Sequence, residues 1–440
     1  MIRLFVLVCV FFYSFSLAFA QTEKAYITAA QAHIQKGFYN DAIIELNKVL
    51  ALNSENVEAN LIMAQAKNAI GDYMGALTHA TKISHIKSPE VYSVKGYSLF
   101  HLYRFNECIP LLEELIKLKS AKREDYLMLS KAYFRLKKRE EATSTLTRLI
   151  DSDRKNENNY LERAKLYYLT DKYSQAIEDC NRAIDLKKDF AEAFYYRGAC
   201  KDEQKKYEAA ILDYDKAIEL KPDLSDAYTD RGLARSKTKD KTGAINDFNR
   251  AIQLNATSAS TYYKQGLSEI DSKNFKAAIK NFNKAIDLKS DYHEAFYKRA
   301  QVKIIVGENN TAMLDLDHAI RVKPDYVEAY NARGLLKEQL KNTIAAKDDY
   351  TKAIELEPNY AEAFYNRGVL KFKQDDYSGA IDDFSKAIDA NVNYGDAFFK
   401  RASARFNLGY KKDACEDWSK AKQLGNKNAE ENLKQYCTKK

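Results

Sequence analysis

A pattern that returns every 34 residues, with no register shift from Pro89 to Asn428, restricts this chain to architectures in which one small unit is stacked many times. The units begin at Glu23, Val57, Pro89, Arg123, Glu157, Ala191, Ser225, Ala259, His293, Val327, Ala361 and Gly395, and only the second is short, by two residues. Each reads as two amphipathic helices joined by a short turn. Length alone, at 440 residues, suggests about three ordinary domains; the repeat removes that reading. A hydrophobic content of 45% suffices for a continuous apolar interior, and 15 Gly with 5 Pro leave little room for irregular segments.

Counting positions 1 to 34 within a unit, position 8 is Gly, Ala or Ser from Ala30 to Ala402, and position 20 is Ala everywhere except Cys108. Small side chains on both helices let them cross closely. Position 4 is aromatic in every unit but the second, which has Asn60, and position 24 carries Tyr214, Phe248, Phe282, Tyr350, Phe384 and Trp418, all read as core. Pro222, Pro324 and Pro358 fall at position 32, between units, where a missing N–H costs nothing. Pro110 is expected in or near the first turn of a second helix, whose amides lack intrahelical partners.

These columns resemble the tetratricopeptide repeat family over residues 23–428. The resemblance implies an all-α, right-handed superhelical solenoid of twelve helix-turn-helix hairpins. It also implies a concave groove lined mainly by the first helices, and a role in binding proteins or peptides. Residues 429–440 are expected to form a helix capping the last hydrophobic face. The stretch Ala414-Cys415-Glu416-Asp417-Trp418 to Tyr436-Cys437 resembles the endings of secreted bacterial repeat proteins, including those of Bacteroidetes.

The units fall into a divergent block, residues 23–156, and a regular block, residues 157–428. In the regular block, position 7 is Arg163, Arg197, Arg231, Arg299, Arg333, Arg367 and Arg401, and position 23 is Asp179, Asp213, Asp247, Asp315, Asp349, Asp383 and Asp417. The unit at Ala259 instead has Gln265 and Asn281, losing both charges together. Joint loss, and equal distance from the turn near positions 15 and 16, predict an Arg–Asp bridge within each of the other seven units. An arginine ladder reading an acidic ligand is the alternative. In the first four units position 7 is Ala29, Met63, Lys95 and Leu129, and a bend or change of superhelical pitch is expected at the polar junction Asp151–Asn159, with continuous stacking as the alternative.

The N-terminus is of another kind. Arg3, the apolar run Leu4–Ala18 and the small-residue ending Ala18-Phe19-Ala20 read as a secretory signal over residues 1–20, an uncleaved anchor being the alternative. Without Arg3 the net charge falls from +8 to +7, a mixed surface that does not suggest nucleic acid. The reading is a protein exported across the inner membrane, periplasmic or outer-membrane associated if bacterial, with no further membrane span.

Export permits disulfides. Spacing about the loops puts Cys415 level with Cys437, and Cys180 level with Cys200, as candidate pairs, with buried thiols as the alternative. No HExxH, CxxC, phosphate-cradling loop or nucleophile–base set occurs, and the six histidines are scattered. No enzymatic activity, cofactor, metal or small-molecule substrate is expected. In the family, positions 2, 5, 9, 12 and 13 face the groove. Here that gives Tyr195, Tyr263, Tyr297, Tyr365 and Phe399 at position 5, beside Glu192, Asp226, Glu294, Glu328, Glu362 and Asp396 at position 2. Positions 12 and 13 add Ile304, Ile305, Phe372 and Phe406, an apolar patch expected in units nine to twelve. The family's carboxylate clamp, with Lys at position 5 and Asn at position 9 of one unit, is absent. The chain therefore reads as a protein-binding scaffold or adaptor of the cell envelope, or as a structural part of an outer-membrane, secretion or surface machine.

Overall fold

The structure, a computed structural model, describes residues 21–437; the expected export signal lies outside the described residues. These residues form twelve helical hairpins in series and a short C-terminal helix, with no strand among them. They pack as two compact units that divide between Lys206 and Tyr207. First helices from Val57–Ala69 to Gly395–Asn407 span 13 residues each. The two residues missing before Pro89 come out of one second helix, Tyr73–Lys82, which is only 10 residues long.

Every first helix ends the same way. Position 15 is left-handed in all twelve hairpins: glycine at Gly37, Gly71, Gly307 and Gly409, and Tyr103, Lys137, Asp171, Lys205, Lys239, Lys273, Lys341 and Asp375 in the others, at φ between 58° and 68°. The following amide then reaches back five residues, as in Lys138 N to Tyr133 O at 2.9 Å and Asn342 N to Lys337 O at 2.8 Å. This closes the helix end and reverses the chain. Pro110 lies deeper than the sequence suggests, in the second turn of Phe105–Lys117. It leaves the Asn106 carbonyl without an intrahelical donor, and Asn106 is exposed to water that can replace it.

Within a hairpin the close approach has a specific cause. A Cβ on Gly266 would lie 2.6 Å from the Phe282 ring, on Gly334 2.6 Å from the Tyr350 ring, and on Gly368 2.8 Å from the Phe384 ring. The position-24 ring therefore packs directly against position 8, and all three rings are fully buried. Where position 24 is Leu316, position 8 is Ala300.

Between hairpins the arginine column does more than its spacing predicts. Arg333 holds Asp349 with two bonds, Nε to Oδ2 at 2.9 Å and Nη2 to Oδ1 at 2.6 Å. Arg163, Arg231, Arg299, Arg367 and Arg401 hold Asp179, Asp247, Asp315, Asp383 and Asp417 in the same bidentate way. The remaining Nη1 of Arg333 turns back 16 residues to Asp317 Oδ1 at 2.7 Å, on the second helix of the preceding hairpin. Thr147, Asp215, Asn283, Thr351 and Ser385 accept the same bond from Arg163, Arg231, Arg299, Arg367 and Arg401. Each arginine thus stitches two second helices together. Arg197 and Asp213 lie in different units: Arg197 makes the backward bond to Asn181 at 2.8 Å, and Asp213 is buried. A second cation, from Arg235, Lys303, Lys337, Lys371 or Arg405, completes the pairing of the buried aspartates. Across the junction near Asn156, Arg163 bonds back to Thr147 and Arg123 Nε reaches Asn159 Oδ1 at 3.1 Å.

In the divergent hairpins of the first unit the contacts are mixed: Arg148 pairs with Glu113 at 2.9 Å between second helices, Asn60 meets His79 at 2.8 Å within hairpin two, and Asn68 joins first helices through Ser98 at 2.9 Å and Val94 O at 3.1 Å. In the second unit, hairpin eight lacks the stitch back to hairpin seven, because Gln265 and Asn281 replace Arg and Asp, although its second helix still accepts the backward bond of Arg299 at Asn283. Its first helix, Ala259–Asp271, barely touches the preceding second helix Lys241–Leu254 and packs instead along the first helix Ser225–Lys237. Four polar pairs line that contact: Thr229 with Thr261 at 2.9 Å, Ser236 with Ser268 at 2.8 Å, Lys237 with Asp271 at 2.6 Å, and Lys264 with Asp230.

Two outcomes are expected in chemical unfolding. Gly266→Ala lowers stability by about 1–3 kcal/mol through overpacking, and Phe282→Leu in the same chain recovers part of it, reproducing the Ala300–Leu316 pair. Asp349→Ala, which strands Lys337 and leaves Arg333 with Asp317 alone, costs about 3–5 kcal/mol, whereas Asn281→Ala in hairpin eight costs less than about 1 kcal/mol.

Candidate binding surface on the first helices

The residues that stand out against this regular background are apolar ones left uncovered. An open pocket of about 820 Å³ in the second unit is lined by the first helices of hairpins seven to ten. Its wall is Leu267 and Ile270 from Ala259–Asp271, Val302, Ile304 and Ile305 from His293–Ile305, and Leu335 and Leu336 from Val327–Gln339. Ile305 is 60% exposed and Leu335 46%, so the wall is not finished by the chain's own packing. The repeat makes such a wall possible. Positions 9, 10, 12 and 13 share one face of each first helix, and successive first helices present that face side by side.

Polar groups are few. Lys237 is paired with Asp271 at 2.6 Å. Lys298 donates to Gln301 Oε1 at 3.1 Å, and no carboxylate among the described residues forms an ion pair with it. Burial holds the Lys298 ammonium below its usual pKa range, against the opposing charge of Glu328 and with a smaller push from Lys237. Gln301 Nε2 in turn donates to Tyr297 Oη at 2.8 Å.

The structure redistributes the residues singled out from the sequence. Ile304 and Ile305 line the pocket together with residues of hairpins eight and ten. Phe372 and Phe406 do not join them. Phe372 packs edge-on against Tyr377 with ring centroids 5.2 Å apart, under Lys400 at 5.7 Å. Phe406 lies between Trp418, 5.5 Å away, and Tyr436, 4.5 Å away. Phe399 packs on the same terminal cluster. The patch expected in units nine to twelve is therefore centred two hairpins earlier, because the C-terminal helix claims the last apolar residues as its own support.

Tyr263, Tyr297 and Tyr365 each lean on the tyrosine that closes their own unit, Tyr292, Tyr326 and Tyr394, at 5.0, 5.2 and 4.9 Å. Burial raises the pKa of all three position-5 phenols. They form a half-buried ledge rather than free rings. Tyr195, in the first unit, borders a separate pocket of about 360 Å³ with Leu127, Phe134, Leu166 and Tyr196. Leu267, Ile270 and Leu335 were not among the residues singled out from the sequence. Their signal was there, as apolar residues at positions 9 and 12 of hairpins eight and ten, but only positions 12 and 13 of the later units drew attention.

The C-terminal helix, Asn428–Asn432, continues into a wider turn, Leu433–Cys437, and covers Trp418 and Ala421. Cys415 and Cys437 form a disulfide with Cα atoms 5.8 Å apart. Cys180 and Cys200 do not bridge: both are buried thiols in one apolar cluster with Ala164 and Ala176. Standing level on neighbouring helices places two cysteines in the same layer, but the wide spacing between helix axes decides whether their sulfurs meet. Burial pushes the Cys200 thiol up to about 12, which makes it a poor nucleophile. Among the described residues no group of His, Cys, Asp and Glu could hold a metal ion. None of their helices is long and apolar enough to cross a membrane.

Helical hairpins stacked in series, with an uncovered apolar face on the first helices, define a helical-repeat scaffold. Tetratricopeptide repeat models match residues 126–156, 158–190, 191–224, 225–258, 259–292, 327–360 and 361–394, a little over half of the chain. The chain belongs to the tetratricopeptide repeat family. Among solved structures it is similar to yeast Tom70, at 16% identity and a TM-score of 0.50, over 94% of this chain and 99% of that one. It is also similar to Cut9–Hcn1 from the APC/C hetero-tetramer, at 16% identity and a TM-score of 0.42, over 94% and 89%. At this identity the likeness to Tom70 shows the fold alone. No curated protein matches the sequence significantly.

Trp418 is the only tryptophan of the chain and is 1% exposed beneath the tethered helix. Reduction of Cys415–Cys437, or Cys437→Ser, opens a loop of 22 residues and is expected to destabilise the last hairpin by about 3 kcal/mol. Tryptophan emission should then shift to the red at a lower urea concentration than in the oxidised chain.

Proposed function

We propose that this protein is a non-enzymatic scaffold or adaptor of the cell envelope that binds a segment of a partner protein on the first-helix face of its second unit. The observation that carries the reading is the wall of Leu267, Ile270, Ile305 and Leu335, left open within an otherwise closely packed stack. The repeat family supports it in general terms, since such hairpins commonly serve as protein-interaction scaffolds. Secretion by a signal at residues 1–20, a periplasmic or outer-membrane address and a secreted bacterial origin belong to the same proposal. The Cys415–Cys437 disulfide fits an oxidising compartment.

Crosslinking in the native organism, followed by mass spectrometry, tests the reading with wild-type chain beside an Ile305→Asp, Leu335→Asp double variant. A discrete partner that is enriched by the wild type and lost from the double variant is the expected outcome. Enrichment of a large complex that survives the double variant and depends on residues 23–156 would instead establish a structural part of an outer-membrane, secretion or surface machine. Turnover of any substrate by the purified chain would overturn both.

A further inference from the structure

The pocket of hairpins seven to ten is not uniformly apolar, and its charges do not cancel. Two ammonium groups, Lys237 and Lys298, line it with one carboxylate, Asp271, which Lys237 already holds at 2.6 Å, while Glu328 stands near Lys298 without forming an ion pair with it. Lys298 is half-buried on the middle helix, its Nζ occupied on one side by Gln301 Oε1 at 3.1 Å. A half-buried ammonium keeps unused donor capacity, and an anion brought to it gains more than one meeting a fully solvated lysine. The apolar wall supplies the second constraint. Leu267 and Ile270, then Ile304 and Ile305, then Leu335 stand on three successive first helices. The first helices Ala259–Asp271, His293–Ile305 and Val327–Gln339 barely touch one another, so their axes stand farther apart than the roughly 8–10 Å of packed helices. At about 3.3 Å per extended residue, a peptide crossing the wall would need four or more residues to pass from one apolar surface to the next.

Resting on the reading of this face as a protein-binding surface, we infer that the pocket takes an internal, extended peptide segment with two bulky apolar side chains at least four residues apart and an Asp or Glu between or beside them, whose carboxylate sits on Lys298. An internal carboxylate fits better than a chain terminus because Lys298 offers one ammonium. The residues that would clamp a terminal carboxylate, Lys at position 5 with Asn at position 9, occur together in no unit. The tyrosine ledge sets the other edge: Gln301 joins Lys298 to Tyr297 Oη, so the segment lies between Tyr297 and Ile305.

The test is selection of randomised peptides, displayed with both ends covalently blocked, on the full chain and on Lys298→Glu, Lys298→Gln and Ile305→Asp variants whose helix content and unfolding match wild type. The wild type should enrich two apolar residues spaced by four or more positions with an Asp or Glu between or beside them. A synthetic, end-blocked copy of the consensus should bind at least tenfold more weakly to Lys298→Glu than to wild type, with Lys298→Gln intermediate, and selection on Lys298→Glu should exchange the acidic preference for Lys or Arg. Apolar peptides with no acidic preference, or a preference that Lys298→Glu leaves unchanged, would overturn this inference while leaving the binding face in place. Binding that appears only with a free C-terminal carboxylate would overturn the internal placement. Peptides whose binding ignores Ile305→Asp, an absence of any enriched peptide, or a dimer of this chain lost in Ile305→Asp would remove the partner-binding reading of the face as well.

Discussion

The fork that Arg333 makes, two bonds forward to Asp349 and one backward to Asp317, is the interaction on which the regular part of this structure rests. A single helical hairpin cannot bury its apolar face alone, so the stack must specify how each hairpin meets the next. Apolar packing sets distance but tolerates rotation. A planar guanidinium with three bonds to two helices tolerates much less, because bidentate pairing fixes its plane. The side-chain exposures of Arg333 and Asp349, 18% and 6%, make the pair costly to break, although not strongly stabilising relative to a well-packed apolar pair. Its contribution is to orientation.

The same argument explains why the pocket lies where it does. Hairpin eight has Gln265 and Asn281 where the fork should be, and its first helix has moved off Lys241–Leu254 and onto Ser225–Lys237. Four polar pairs hold the two first helices together there, and the apolar residues of hairpins eight to ten open beside them. A local loss of one ion pair therefore stands beside an extensive uncovered apolar surface in the second unit. The other end of the unit shows the opposite solution: Phe399, Phe406 and Trp418 carry comparable apolar area, and a disulfide-tethered helix covers them.

Much of this was legible in the sequence because the 34-residue register repeats each structural constraint many times. Hairpin boundaries, the small residues at position 8 and the Arg–Asp columns all emerge from comparing units with one another. The backward bond was harder to see. Its acceptors are Thr147, Asp215, Asn283, Thr351 and Ser385, chemically mixed residues that share only an oxygen, so the column does not look like a column. The left-handed turn was hidden for a related reason, since eight hairpins use Lys, Asp or Tyr there instead of glycine. The pocket was misplaced because exposure is a tertiary property: Phe372 and Ile305 look alike in sequence, and only the packing of Tyr377 and Lys400 on Phe372 separates them.

Amide hydrogen exchange of the full chain, alone and with the partner recovered by crosslinking, tests the link between fold and function most directly. Protection gained on binding should concentrate in the first helices Ala259–Asp271, His293–Ile305 and Val327–Gln339, with the stitched second helices Phe275–Leu288 and Asn309–Val322 unchanged. Protection confined to second helices, or to hairpins one to four, would contradict the assignment of the binding face.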